Sequence, residues 1–119
     1  MSEEYNPLGS IEVSPAAIAT IACQAALRSY GVVGMASKNV VAGLANRLAP
    51  DPRHGVEVVL ADSGISINLY IVVEYGTRIT SVANSVANTV RFQVEQALGM
   101  AIGDVNVHVQ GLRVSNPDA

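Results

Sequence analysis

Alternation is the strongest pattern in the chain. In VEVVLADSGISINLYIVVEYG (56–76), Val56, Val58 and Leu60 recur at every second position. Asp62-Ser63-Gly64 interrupts the run, and Ile65, Ile67, Leu69, Ile71, Val73 and Tyr75 resume it. Period-two alternation on both sides of a turn predicts two antiparallel strands sharing one apolar face. The opposite face of the second strand carries Ser66, Asn68, Tyr70, Val72 and Glu74. VNVHVQGL (105–112) alternates again, with Val105, Val107 and Val109 on one side and Asn106, His108 and Gln110 on the other. A shorter strand is expected in SIEV (10–13), where Ile11 and Val13 oppose Glu12.

Between these strands the apolar period lengthens to that of a helix. Ser14 is a good N-cap and Pro15 suits the first helical position, where its missing N–H costs nothing. Ile18, Ile21, Ala22 and Ala25 then recur at helical spacing, and Gly31 offers a left-handed stop. Only Thr20, Gln24 and Arg28 form a polar side, so this helix should be covered from more than one direction. A second helix is expected from about Thr80 to Gly99. Its apolar stripe is Ile79, Val82, Ala83, Val86, Val90, Val94 and Ala97, and Asn84, Asn88, Arg91 and Glu95 lie opposite. Val41, Leu44, Ala45 and Leu48 suggest a short helical insert near 37–48, after a turn and extended piece at GVVGM (31–35). APDPRHG (49–55) should be an exposed loop, because its prolines oppose regular structure.

The expected fold is α+β: a two-layer sandwich in β-α-β-β-α-β order, with one four-stranded, mostly antiparallel sheet and two main helices. The ferredoxin-like split βαβ arrangement has this order, and differently ordered sheets satisfy the same pattern. The chain of 119 residues shows no internal repeat. It divides into a loose N-terminus (1–8), one domain (9–112) and a loose C-terminal tail (113–119).

Composition narrows the function. Half the residues are hydrophobic and only 14% are charged, well below the usual quarter or so. Much of the surface must therefore be uncharged, which suits a subunit or partner contact. A net charge of -3 with no basic run gives no drive toward nucleic acid or anionic lipid. The single cysteine, Cys23, excludes an intrachain disulfide and, lying mid-helix, reads as structural. MSEEYNPLG has neither the basic start nor the apolar core of a signal peptide. The longest apolar uncharged stretch, VSPAAIATIACQAAL, falls short of the roughly 20 residues a spanning helix needs.

Candidate chemistry is sparse. His54 and His108 are the only histidines, and neither has ligand-spaced neighbours, so no metal or cofactor is expected. Glu57 and Glu74 would make a glycosidase-like pair only if the open sheet face brought them together across a cleft. No phosphate loop, dinucleotide motif or serine elbow occurs. RNA-binding modules of similar element order use two or three stacking aromatics in a basic surround, whereas here Tyr70 stands among Glu12, Glu57 and Glu74. On a helical wheel Phe92, the only phenylalanine, falls opposite the Val stripe with Asn84 and Asn88.

IEVSPAAIATIACQAALRSYGVVGM, INLYIVVEYG and VNVHVQGL together resemble, in order and spacing, the bacterial alkaline shock protein family. The resemblance spans residues 9–112. It implies a non-enzymatic protein of cell-envelope stress and homeostasis, bacterial and cytoplasmic, that self-associates and is held at the inner face of the membrane through a membrane-anchored protein partner, without inserting directly. It carries no catalytic residues. VANSVANTVRFQVEQALG departs from the family, whose second helix is usually rich in Glu and Lys. The expectation is a non-catalytic, homo-oligomeric interaction protein with no nucleic-acid partner. Asn84, Asn88, Phe92, Asn68, Tyr70, Asn106, His108 and Gln110 are its candidate partner surface. The alternatives are a small-molecule-sensing module and, further off, a single-stranded nucleic-acid binder.

Overall fold

The hairpin predicted by alternation is the centre of the molecule. The computed structural model describes residues 14–37 and 51–114. The expected strand at 10–13, the insert beyond Ser37 and the terminal segments 1–8 and 115–119 fall outside the described residues. In chain order the elements are α1 (Pro15–Leu27), β1 (Val32–Met35), a one-turn 3₁₀ helix (Pro52–Gly55), β2 (Val56–Ala61), β3 (Gly64–Glu74), α2 (Ile79–Leu98) and β4 (Val105–Arg113).

β3 is the longest strand and pairs with all three others. β2 runs antiparallel to its first half, from Ala61↔Gly64 to Val56↔Leu69. β1 runs antiparallel to its second half, from Met35↔Ile71 to Val32↔Val73. β4 runs parallel to it from Ile67↔Val105 to Glu74↔Arg113. Because a strand has two edges, β1 and β2 lie end to end on one edge of β3 and β4 takes the other. At the junction the Ala36 amide donates to the Tyr70 carbonyl at 2.8 Å. Gly55 sits in the same crowded spot, where a Cβ would lie 2.6 Å from the Ala36 carbonyl oxygen. Only a residue without a side chain fits there.

The α+β architecture is as expected: a four-stranded, mostly antiparallel sheet and two main helices. The strand order is not ferredoxin-like. That arrangement places another strand between the two that flank the second helix, whereas β3 and β4 are direct neighbours. α2 therefore serves as the crossover that a parallel pair requires. The extended piece expected in GVVGM is Val32–Met35, a full member of the sheet. Pro52 and Arg53, expected in an irregular loop, belong to a 3₁₀ turn that Asp51 caps by accepting from the Arg53 amide at 3.0 Å.

Both helices cover the same sheet face. Ser14 caps α1 as expected, its hydroxyl accepting from the Ala17 amide at 3.1 Å. The buried side of α1 is broad (Ile18, Ala22, Cys23, Ala25, Ala26), because the helix packs against α2 and against β1, β2 and the 3₁₀ turn. In α2 the buried stripe narrows to Val82, Val86, Val90 and Val94, leaving Ile79 and Ala97 exposed at its ends. These valines meet Ile65, Ile67, Leu69, Ile71 and Val73, all at most 3% exposed, in one continuous core. At about 25 cal/mol per Å² of apolar surface removed from water, each such side chain contributes roughly 1.5–3 kcal/mol. Val105, Val107 and Val109 are half-buried and pack against that core.

Candidate functional site

The face of the sheet away from the helices is polar, and its side chains engage one another. Register places Glu57 of β2, Asn68 of β3 and Asn106 of β4 in one row. The Asn68 Nδ2 amide donates to the Glu57 Oε1 carboxylate oxygen at 3.3 Å. That turns Asn68 Oδ1 toward His108, whose Nε2 lies 3.3 Å away. With the amide orientation set by Glu57, the His108 Nε2–H must be the donor of this bond. The next row pairs Tyr70 with His108, their rings stacked at 4.6 Å between centroids and 12° between planes.

This row brings together Asn68, Tyr70, Asn106 and His108 from the expected surface, but Gln110 falls at a break. The β4 register shifts between Val109, opposite Ile71, and Gly111, opposite Val72, so Gln110 has no cross-strand partner. Perfect alternation through VNVHVQGL is thus interrupted by a bulge. Beyond it Val72 lies between Gly34 and Gly111 and is fully buried, so the continuous polar row ends at Tyr70. Glu57 and Glu74 do not form a catalytic pair. Their register partners on β3 and β4, Asn68 for Glu57 and Arg113 for Glu74, place them six residues apart along the sheet. At about 3.3 Å per residue that is roughly 20 Å.

The other expected residues lie on the opposite side of the molecule. Asn84, Asn88 and Phe92 follow one another at i, i+4 and i+8 along the outer side of α2, all exposed, with Phe92 at 57%. The two sets are therefore two surfaces separated by the helix layer. α2 contains only two charged residues, Arg91 and Glu95, and both turn toward the loop that follows. Glu95 Oε2 accepts from the Ile102 amide at 2.9 Å, and Arg91 Nη1 donates to the Ile102 carbonyl at 3.2 Å. They also pair with each other at 3.7 Å. This clamp fixes the entry into β4; both of its side chains stay partly exposed, and the other exposed residues of α2 are uncharged.

Sequence reasoning missed two partnerships. The Arg91–Glu95 clamp was signalled by its i, i+4 spacing, but its target was not. Glu57 and Asn68 each lie four residues out from the Ala61↔Gly64 pair that closes the hairpin, so their meeting was implicit in the turn.

Reactive chemistry is scarce. Burial pushes the Cys23 thiol up, the Asp51 carboxylate adds to that and Arg53 opposes it, so the thiol stays protonated. Arg53 holds Asp51 in a two-pronged pair, Nε to Oδ1 at 3.2 Å and Nη2 to Oδ2 at 3.0 Å. Those hydrogen bonds, with the one from the Arg53 amide, lower the Asp51 carboxyl to about 2. Among the described residues no three His, Cys, Asp or Glu side chains are placed to hold a metal ion, and no helix is long and apolar enough to cross a membrane.

YloU of Bacillus subtilis, an uncharacterized protein, is 44% identical over 111 residues, covering 92% of each chain. Spy1614 of Streptococcus pyogenes is 38% identical over 89% of each chain. YqhY of Bacillus subtilis is 35% identical over 95% of this chain and 84% of its own. No solved structure matches the chain. The model of the alkaline shock protein 23 family, described as having cell envelope-related function, matches residues 3–114. The chain belongs to that bacterial family.

Proposed function

We propose that this protein is a non-catalytic interaction subunit of the cell-envelope stress machinery, acting in the cytoplasm through self-association and a membrane-anchored protein partner. The observation that carries this reading is the outer side of α2. Apart from the partly exposed and mutually paired Arg91 and Glu95, its exposed residues are uncharged, and the chain's only phenylalanine stands out of it between Asn88 and Gln96. Depletion of charge around an exposed aromatic is the composition of an interface centre. The polar row on the opposite face, ordered by its own hydrogen bonds and ring stack, is the second contact surface. Its preorganised side chains lose little freedom on binding.

Light scattering over a concentration series tests the reading. The wild-type mass should rise above that of the monomer, and Phe92→Glu should lower it while leaving the thermal midpoint unchanged at dilutions where both chains are monomeric. A strict monomer at high concentration, unaffected by Phe92→Glu, overturns the self-association part of the reading.

A further inference from the structure

Three segments far apart in sequence meet where β3 ends. The Glu74 amide donates to the Gly31 carbonyl and the Tyr75 amide to the Arg113 carbonyl, both at 2.8 Å. These bonds hold the turn after α1, the turn before α2 and the end of β4 side by side. Six of the ten large hydrophobic residues exposed among those described lie on these segments: Leu27, Tyr30, Tyr75, Ile79, Leu112 and Val114. The two tyrosines are the most exposed of the ten, at 82% and 65%.

Cations collect at the same end. Of the five arginines described, Arg28, Arg78 and Arg113 belong to these segments and are exposed. None of the three has an ion-pair partner among the described residues, whereas Arg53 is paired with Asp51 and Arg91 with Glu95. Glu74, half-buried, is the one carboxylate described at this end. Asp62 and Asp104 are exposed at the other end, roughly 35 Å away along the 11 residues of β3. A chain of net charge -3 with no basic run thus presents a locally positive end, because folding gathers arginines from three separate segments.

Tyrosine, arginine and scattered aliphatic side chains together suit the boundary of a bilayer. Tyrosine sets its apolar ring toward the acyl chains and its hydroxyl among the headgroups. Arginine pairs with lipid phosphates while its stem lies along apolar surface. A fluid surface accommodates apolar side chains spread over two turns and a strand end, whereas a folded protein partner would need a matching shape.

We propose that this end docks on an anionic lipid surface. The contact is peripheral, since no helix among the described residues is long and apolar enough to cross a membrane. Asp62 and Asp104 then point away from the lipid, and the outer side of α2 stays free on the flank. Lipid is a ligand beyond the proposed protein contacts, and its binding requires neither self-association nor a membrane-anchored partner.

Cosedimentation of the full chain with vesicles of phosphatidylglycerol and phosphatidylethanolamine tests this. The wild type should partition onto these vesicles at low salt, less at high salt, and not onto pure phosphatidylcholine. Arg78→Gln/Arg113→Gln should lower partitioning about fivefold for each arginine removed, while Arg78→Lys/Arg113→Lys keeps it. Tyr30→Ser/Tyr75→Ser should lower it at unchanged net charge. Asp62→Asn/Asp104→Asn alters net charge by as much, yet should stay within about twofold of the wild type, because screening acts over about 8 Å. A wild type that ignores anionic vesicles at low salt, or arginine or tyrosine variants that partition as it does, overturn the proposal. So does a gain from the aspartate variant equal to the loss from the arginine variant. Polyglutamate bound through Arg78 and Arg113, with no partition onto vesicles, overturns it in favour of an acidic protein. Light scattering of Phe92→Glu involves no lipid, so either this contact or the α2 surface can fail while the other stands.

Discussion

The two faces of the same sheet are built by adjacent residues and do different work. Ile65, Ile67, Leu69, Ile71 and Val73 point into the helix layer and are nearly inaccessible, while Asn68 and Tyr70, interleaved with them, face outward with Glu57 and His108. The inward set owes its stability to burial, which has no direction and tolerates nothing polar. The outward set is ordered by directional bonds between exposed groups, each worth little in water. Removing an inward residue should therefore damage the fold, and removing an outward one should spare it. The role proposed for the outward set is recognition.

The sharpest break of this contrast is at the centre of β3. Leu69→Ala should cost about 2–5 kcal/mol, because the cavity left under the helices cannot fully collapse. Urea denaturation read by circular dichroism measures it, and a loss below 1 kcal/mol would mean that β3 is not the keystone. An intermediate effect is expected at the clamp. Glu95→Ala leaves the buried Ile102 amide without its acceptor and should cost about 1–3 kcal/mol. It should also speed hydrogen exchange at Ile102 more than at Ile71.

On the outward face His108→Ala and Asn68→Ala should each shift stability by less than about 1 kcal/mol, since both bonds are exposed or half-exposed. A loss as large as that of Leu69→Ala would erase the distinction between the faces. The smallest effect concerns Asp51. Its carboxyl in the folded protein is depressed from 3.8 to about 2, so its pairing with Arg53 is present above the unfolded value and lost as pH falls through about 2. Carbon-detected NMR titration should find Asp51 titrating near 2, and a midpoint at the ordinary 3.8 would contradict the pairing.

The contrast between faces was legible in the sequence because a strand's period of two is independent of its neighbours. Alternation in 56–75 identified the hairpin, the inward residues from Ile65 to Val73 and the outward Asn68 and Tyr70, whereas Leu60 and Tyr75, expected on the same apolar face, lie at the strand ends and are exposed. The neighbours themselves were less legible. Nothing in VNVHVQGL announces that it joins β3 in parallel, since alternation is the same in either direction. The bulge at Gln110 arises from matching β4 to β3, so it was invisible in either strand alone. GVVGM is too short to show a period, and its place in the sheet depends on the second half of β3 extending beyond β2. On α2 the Val stripe was plain, but the turning of Arg91 and Glu95 to Ile102 required the position of a loop that has no pattern of its own.

The central claim is that this protein works through its exterior surfaces as an interaction subunit. Amide cross-peaks followed by NMR as the protein is concentrated test it most directly. The account predicts progressive shifts or broadening at Asn84, Asn88 and Phe92, while Ile67, Leu69 and Ile71 stay unmoved. Spectra that do not change with concentration at any residue of α2 would contradict it.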